Sequence, residues 1–262
     1  MRDFTISVFR DLLKAFKKGD YQFQTYRDYI GSPSPRSLIL RHDVDKLPLN
    51  SLKTAIIENE LGIKGSYYFR ALPCNFDEET IKNIAGLGHE IGYHYEDLAL
   101  EHGKMDKAYE SFCRNLDRLR KLVEVDTITM HGSPLSKWDN RGLWDHYDYR
   151  KLGLAGEPYL DMDFNQVAYF SDTGRRWNDS GNRIRDHVES RFTYSFKSTH
   201  DVINNINQLP DKAMFTFHPQ RWSDNAVSWL HELFFQNIKN QVKKIIVKEN
   251  LVIWDRHTRY PD

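Results

Sequence analysis

Short apolar runs alternate with longer helix-spaced ones along most of this chain, and that alternation leaves few folds open. "SLILRHDV" (residues 37–44), "GSYYFR" (65–70), "HEIGYH" (89–94), "VDTITMH" (125–131) and "MFTFH" (214–218) read as strands. Between them lie helical patterns: residues 49–61, with Ala55, Ile56 and Ile57 among polar neighbours; "DEETIKNIAGLG", capped by Asp77; and residues 104–123, with Met105, Ala108, Phe112, Leu116 and Leu119 down one side. Strands separated by helices pair in parallel through crossovers, so the expected class is α/β with a parallel sheet, closed or open. "KIIVKENLVIW" reads as a helix end leading into a further strand, and residues 140–210 as loops with short strands.

With 262 residues, no internal repeat and no Pro/Gly/Ser linker, one domain is expected, and an α/β barrel of this length is ordinary. Residues 1–36 read as an N-terminal helical extension packed on the barrel, because Leu12, Leu13 and Phe16 fall at helical spacing. That segment lacks the apolar core of a signal peptide and no run spans a bilayer, so a cytoplasmic protein without a membrane span is expected. Acids and bases balance at 37 each, and acids interleave with the Arg/Trp clusters, which argues against nucleic acid as a partner. Two cysteines supply no disulfide framework. Oligomeric state leaves no mark in the sequence.

Polar residues recur where strands stop: Asp43 and Asp45, His94 and Glu96, His131, and His218. In a parallel α/β barrel these strand ends converge on one face. Alternation along a strand puts Arg41, Asp43 and Asp45 on one side and turns His42 toward the helix layer. Capping or turn formation explains one such residue more readily than four strand ends.

"RHDVD", "GHEIGYH", "HGSP" and "FHPQRW" together resemble the polysaccharide deacetylase superfamily, carbohydrate esterase family four, over residues 38–222. The resemblance implies a distorted (β/α) barrel of about seven parallel strands that hydrolyses N-acetyl or O-acetyl groups on sugars with a divalent metal. It implies Asp43 as general base, Asp45 and His94 as metal ligands, and His218 as the acid that protonates the leaving group. The usual second histidine, four residues beyond His94, is Leu98 here, and the usual Arg-Pro-Pro motif is absent. We therefore expect His131 to complete the ligand set, with Glu96 as the alternative. An Asp–His–His set suits zinc, and also tolerates Co, Ni, Mn or Fe. Arg41 can pair with Asp43 and hold it ionised.

The expected substrate rim comprises Gly132 and Ser133, whose backbone can approach an oxyanion; Trp138 and Asn140; Asp172, Arg175, Arg176 and Trp177 of residues 169–186; and Arg221 and Trp222. The expected partner is a sugar or glycan-precursor substrate. A non-sugar amide hydrolase and an inactive carbohydrate-binding relative are the alternatives.

Overall fold

In a computed structural model of the chain, residues 2–134, 136–177, 188–238 and 241 are described. The expectations for "KIIVKENLVIW" and for residues 178–186 lie outside them. Among the described residues seven strands form one sheet, and every pairing is parallel. They are β1 (Gln22–Gln24), β2 (Ser37–Val44), β3 (Ser66–Phe69), β4 (Glu90–Tyr95), β5 (Ile128–Met130), β6 (Ala168–Ser171) and β7 (Lys212–Phe217). The order is β5-β4-β3-β2-β7-β6, with β1 paired to the first residues of β2. The sheet curls as part of a distorted (β/α) barrel, as expected. Among the described residues no pairing joins β5 to β6.

The connecting helices are α1 (Ile6–Lys18), α2 (Tyr26–Gly31), α3 (Pro48–Glu60), α4 (Glu78–Gly86), α5 (Asp97–Leu100), α6 (Met105–Arg120), α7 (Pro158–Asp161) and α8 (Thr199–Asn204). In α1, Thr5 caps the N-terminus through Val8 N, and Val8, Phe9, Leu12, Leu13 and Phe16 are fully buried against the sheet. Each such side chain contributes roughly 1.5–3 kcal/mol by leaving water. The N-terminal segment is more than a helical extension, however. Its residues 22–24 add a strand, which a three-residue polar-apolar-polar run does not announce.

All eight residues of β2 are buried, because helices or loops cover both faces and β3 and β7 flank it. The strand carries a polar pair on each face. Arg41 binds Asp43 on one side. On the other, His42 Nε2 lies 2.7 Å from Glu58 Oε1 of α3, and Tyr67 OH donates to Glu58 Oε2 at 2.8 Å. His42 is therefore built into the helix-side core.

The parallel arrangement has one consequence for chemistry. The residue that follows each of six strands is polar: Asp45 after β2, Arg70 after β3, Glu96 after β4, His131 after β5, Asp172 after β6 and His218 after β7. Parallel strands end on one edge, so these six gather there.

Candidate active site

A cleft of about 510 Å³ opens over those strand ends, lined among others by Asp43, Asp45, Arg70, His94, Glu96, His131 and His218. At its floor Arg41 donates to both oxygens of Asp43, Nε to Oδ1 and Nη2 to Oδ2, each at 2.8 Å. Burial by itself would raise the Asp43 carboxyl, but Arg41 and then His94 and His218 hold it below its usual value. Asp43 is thus kept ionised, and each of its oxygens keeps a second lone pair for another donor.

Beside it, Asp45 Oδ1 lies 3.5 Å from His94 Nε2 and 3.6 Å from His131 Nε2. The tautomers of both rings follow from their other nitrogens. His94 Nδ1 faces the Thr129 carbonyl at 3.0 Å, and a carbonyl only accepts, so Nδ1 carries the proton. His131 Nδ1 faces the Glu96 carboxylate at 3.0 Å, with the same result. In the neutral rings, the form that binds a metal, both Nε2 atoms then present lone pairs toward Asp45 Oδ1, which is buried and has no hydrogen-bond partner. Three acceptors with no donor between them are a cation site. Their mutual spacing, all within 4.8 Å, fits as well. Donors on a tetrahedral ion with ~2.0–2.1 Å bonds stand roughly 3.3–3.4 Å apart. The residues present therefore fit a divalent metal.

Glu96, the alternative ligand, is placed differently. It accepts from His131 Nδ1 and from Arg70 Nε at 2.5 Å, so it orients His131. Arg70 also approaches the Asp45 carbonyl at 3.4 Å. Leu98, where the second histidine of the motif would stand, is 3% exposed and packs in the core with Phe112 and Leu143.

On the opposite side His218 Nε2 lies 3.7 Å from Asp45 Oδ2. Its Nδ1 is 2.6 Å from Asp172 Oδ1, and Arg221 Nη1 donates to the same oxygen at 2.5 Å. Asp172 Oδ2 accepts from the His218 backbone N–H at 2.9 Å and from Trp222 Nε1 at 2.8 Å. Burial would raise the Asp172 carboxyl, yet Arg221 and then His218 bring it down to about 2. The stability this represents is complete above the ordinary value of 3.8 and is lost as the pH falls through about 2. It amounts to roughly 2 kcal/mol. Thermal melts across that window should show a flatter acid arm for Asp172→Asn, from a lower neutral-pH stability because Arg221 loses its charged partner. Parallel pH profiles for the two proteins would refute the linkage.

The expected rim is revised by these contacts. Gly132, Ser133 and Arg221 do line the cleft. Asp172 is 0% exposed and holds His218, so it does not reach a substrate. Trp222 and Trp177 are core residues; Trp222 binds Asp172, and Trp177 Nε1 donates to Thr199 Oγ1. Arg175 is buried against Phe4 and Trp229 and donates to the Arg221 carbonyl. Arg176 is exposed but does not line the cleft. Asn140 is buried, donates to the His131 carbonyl and Ser133 Oγ, and accepts from Ala99 N, which shapes the loop. Trp138 packs over Gly103, outside the cleft lining. For Trp177 and Trp222 the reason is that the loops after β6 and β7 fold back into the core, where large amphipathic side chains fill volume.

Sequence reasoning passed over Arg70, Gln220, Glu232 and Gln236, all in the cleft wall. Arg70 was detectable, since it ends "GSYYFR" as Asp45 and His131 end their strands. The other three carry no such signal.

No family model matches the chain, and no curated protein matches it. Among solved structures, Bacillus subtilis PdaA, a family 4 carbohydrate esterase, is similar at 14% identity and a TM-score of 0.41 over 86% of this chain and 83% of that one. A family 4 carbohydrate esterase from Bacillus anthracis is similar at 9% identity and a TM-score of 0.41, covering 87% and 84%.

Proposed function

We propose that this chain is a metal-dependent hydrolase that removes an acyl group, N-acetyl foremost, from a sugar of a glycan precursor. The observation that carries the reading is the convergence of three lone-pair donors, Asp45 Oδ1, His94 Nε2 and His131 Nε2, between an ionised Asp43 and a positioned His218. A divalent ion held there, zinc being the first choice, would act as a Lewis acid toward the acyl carbonyl and acidify a water. Asp43 takes the proton of the attacking water on a carboxylate oxygen. His218, oriented through Nδ1 by Asp172, presents Nε2 to the departing nitrogen and, in its doubly protonated imidazolium form, gives it the Nε2 proton. The C–N bond breaks, leaving a carboxylic acid and a free amine. Arg41 keeps Asp43 ionised until it accepts that proton, and Glu96 keeps the His131 lone pair aimed inward. Sugar as the substrate class follows from the motif resemblance; the cleft itself speaks for hydrolysis.

The inactive alternative rested on the missing second histidine, and His131 offers a donor atom from the neighbouring strand instead. Metal analysis with acetate release from N-acetylated sugars tests the proposal. About one divalent ion per chain, with activity lost to chelator and restored by metal, is expected. A chain that binds no divalent metal would sink it.

A further inference from the structure

The charges that line the cleft can be matched one by one. Asp43 is answered by Arg41, Glu96 by Arg70 and His131, and Arg221 by Asp172. Glu232 has the Arg175 guanidinium as a charged neighbour. Asp45 faces the cation site. That leaves Lys46. It lines the cleft, it is exposed, and among the described residues no carboxylate pairs with it. On an open surface such a lysine is a solvated charge and nothing more. This one stands in the wall of a concave site, next in the chain to a metal-ligand candidate.

The backbone that presents Lys46 is fastened. Asp45 N donates to the Asp43 carbonyl at 3.0 Å, and the Asp45 carbonyl accepts from Asn75 Nδ2 and from Arg70 Nη1. The Cα atoms of Asp45 and Lys46 stand about 3.8 Å apart, so the ammonium is tethered close to the cation site. An unanswered cation at that place attracts an anionic group on the molecule being processed, and the acids of the wall, each already answered, do little to repel one. The type of cation narrows the choice. A lysine ammonium is a compact charge with three donors, whereas a planar carboxylate suits the fork of an arginine better. A phosphate ester offers up to two negative charges and three acceptor oxygens to such a point charge.

We propose that Lys46 anchors a phosphate group of the substrate, so that the substrate class is an N-acylated sugar phosphate. The sugar and acyl parts of this statement rest on the hydrolase reading; the phosphate part rests on the charges of the cleft. Calorimetry on the full-length protein with chelator present measures binding without turnover. The ligands are N-acetylglucosamine, its 1-phosphate, its 6-phosphate, and N-acetylmuramic acid, which carries a carboxylate instead. Wild type should bind one of the two phosphates roughly tenfold more tightly than the neutral sugar, and added salt should shrink that margin. Lys46→Gln should lose the margin and keep the affinity for the neutral sugar, and Lys46→Arg should keep most of both. A margin that survives in Lys46→Gln, or phosphates that bind no better than the neutral sugar, would overturn the proposal. So would a Lys46-dependent margin for N-acetylmuramic acid alone, which would assign a carboxylate to the site. Acetate release by the metal-loaded protein separates this proposal from the hydrolase reading. Release from the neutral sugar with no margin for phosphate leaves the hydrolase standing and removes the anchor. A Lys46-dependent margin without acetate release does the reverse.

Discussion

Asp43→Asn is expected to retain its metal and lose ~100-fold or more in turnover, because an amide cannot accept the proton of the attacking water. Asp45→Asn should fail in the opposite order. Its neutral amide is a poorer donor to a divalent cation, so metal is lost first and activity with it, and excess metal restores part. Excess metal should do nothing for Asp43→Asn. The structure adds a complication that the motif does not reveal. Arg41 is 1% exposed and both oxygens of Asp43 bind it. Removing the acid's charge leaves a buried guanidinium without its counter-ion, a change that typically costs ~3–5 kcal/mol. Arg41→Gln/Asp43→Asn relieves that cost. The double variant should melt higher than Asp43→Asn and remain as inactive. Turnover that recovers along with stability would show that Asp43 serves the fold alone, and equal mild effects at both acids would return the pair to an ordinary strand-end turn.

His131→Ala should reduce metal affinity as severely as His94→Ala, since each removes one of the three converging donors. Glu96→Gln is expected to be milder, ~10- to 100-fold in metal affinity, because it disturbs only the hydrogen bond that fixes the His131 ring. Titration with zinc or cobalt reads these values without turnover. Full occupancy in His131→Ala would refute its assignment as a donor. A loss in Glu96→Gln as deep as in His131→Ala would make Glu96 a direct ligand.

The parts of this molecule that were legible in the sequence are those governed by short-range rules. Alternation along "LILRHDVD" separates the Asp43 face from the His42 face without any tertiary information, and the structure places Glu58 where His42 was expected to point. The parallel sheet follows from apolar runs spaced by helices. The candidate metal cluster was legible because parallel strands end on one edge, so residues 45, 94 and 131 were comparable as strand ends before their distances were known. The rim was not legible, and the reason is volume. Trp177 and Trp222 carry the same amphipathic chemistry whether they stack on a sugar or fill a core, and only the packing of Phe4, Phe9 and Phe217 around Trp222 decides between them. Asp172 illustrates the same limit for charge. An acid close to two arginines in sequence reads as part of a substrate rim, whereas its partner Arg221 lies 49 residues away.

The two polar pairs on opposite faces of β2 also constrain how the chain can be threaded. A slip of one residue in the pairing of this strand would exchange its faces. Arg41 and Asp43 would enter the helix layer, where Glu58 is already bonded to Tyr67, and His42 would arrive in the cleft where a carboxylate is needed. An all-apolar central strand tolerates such a shift with modest loss, since valine and isoleucine fit either layer. Here the misthreaded chain would crowd the Arg41–Asp43 pair against apolar side chains of the helix layer and part His42 from Glu58. The residues that equip β2 for chemistry thereby make it the alignment mark for the whole sheet, and β3 and β7 can settle against it in only one frame.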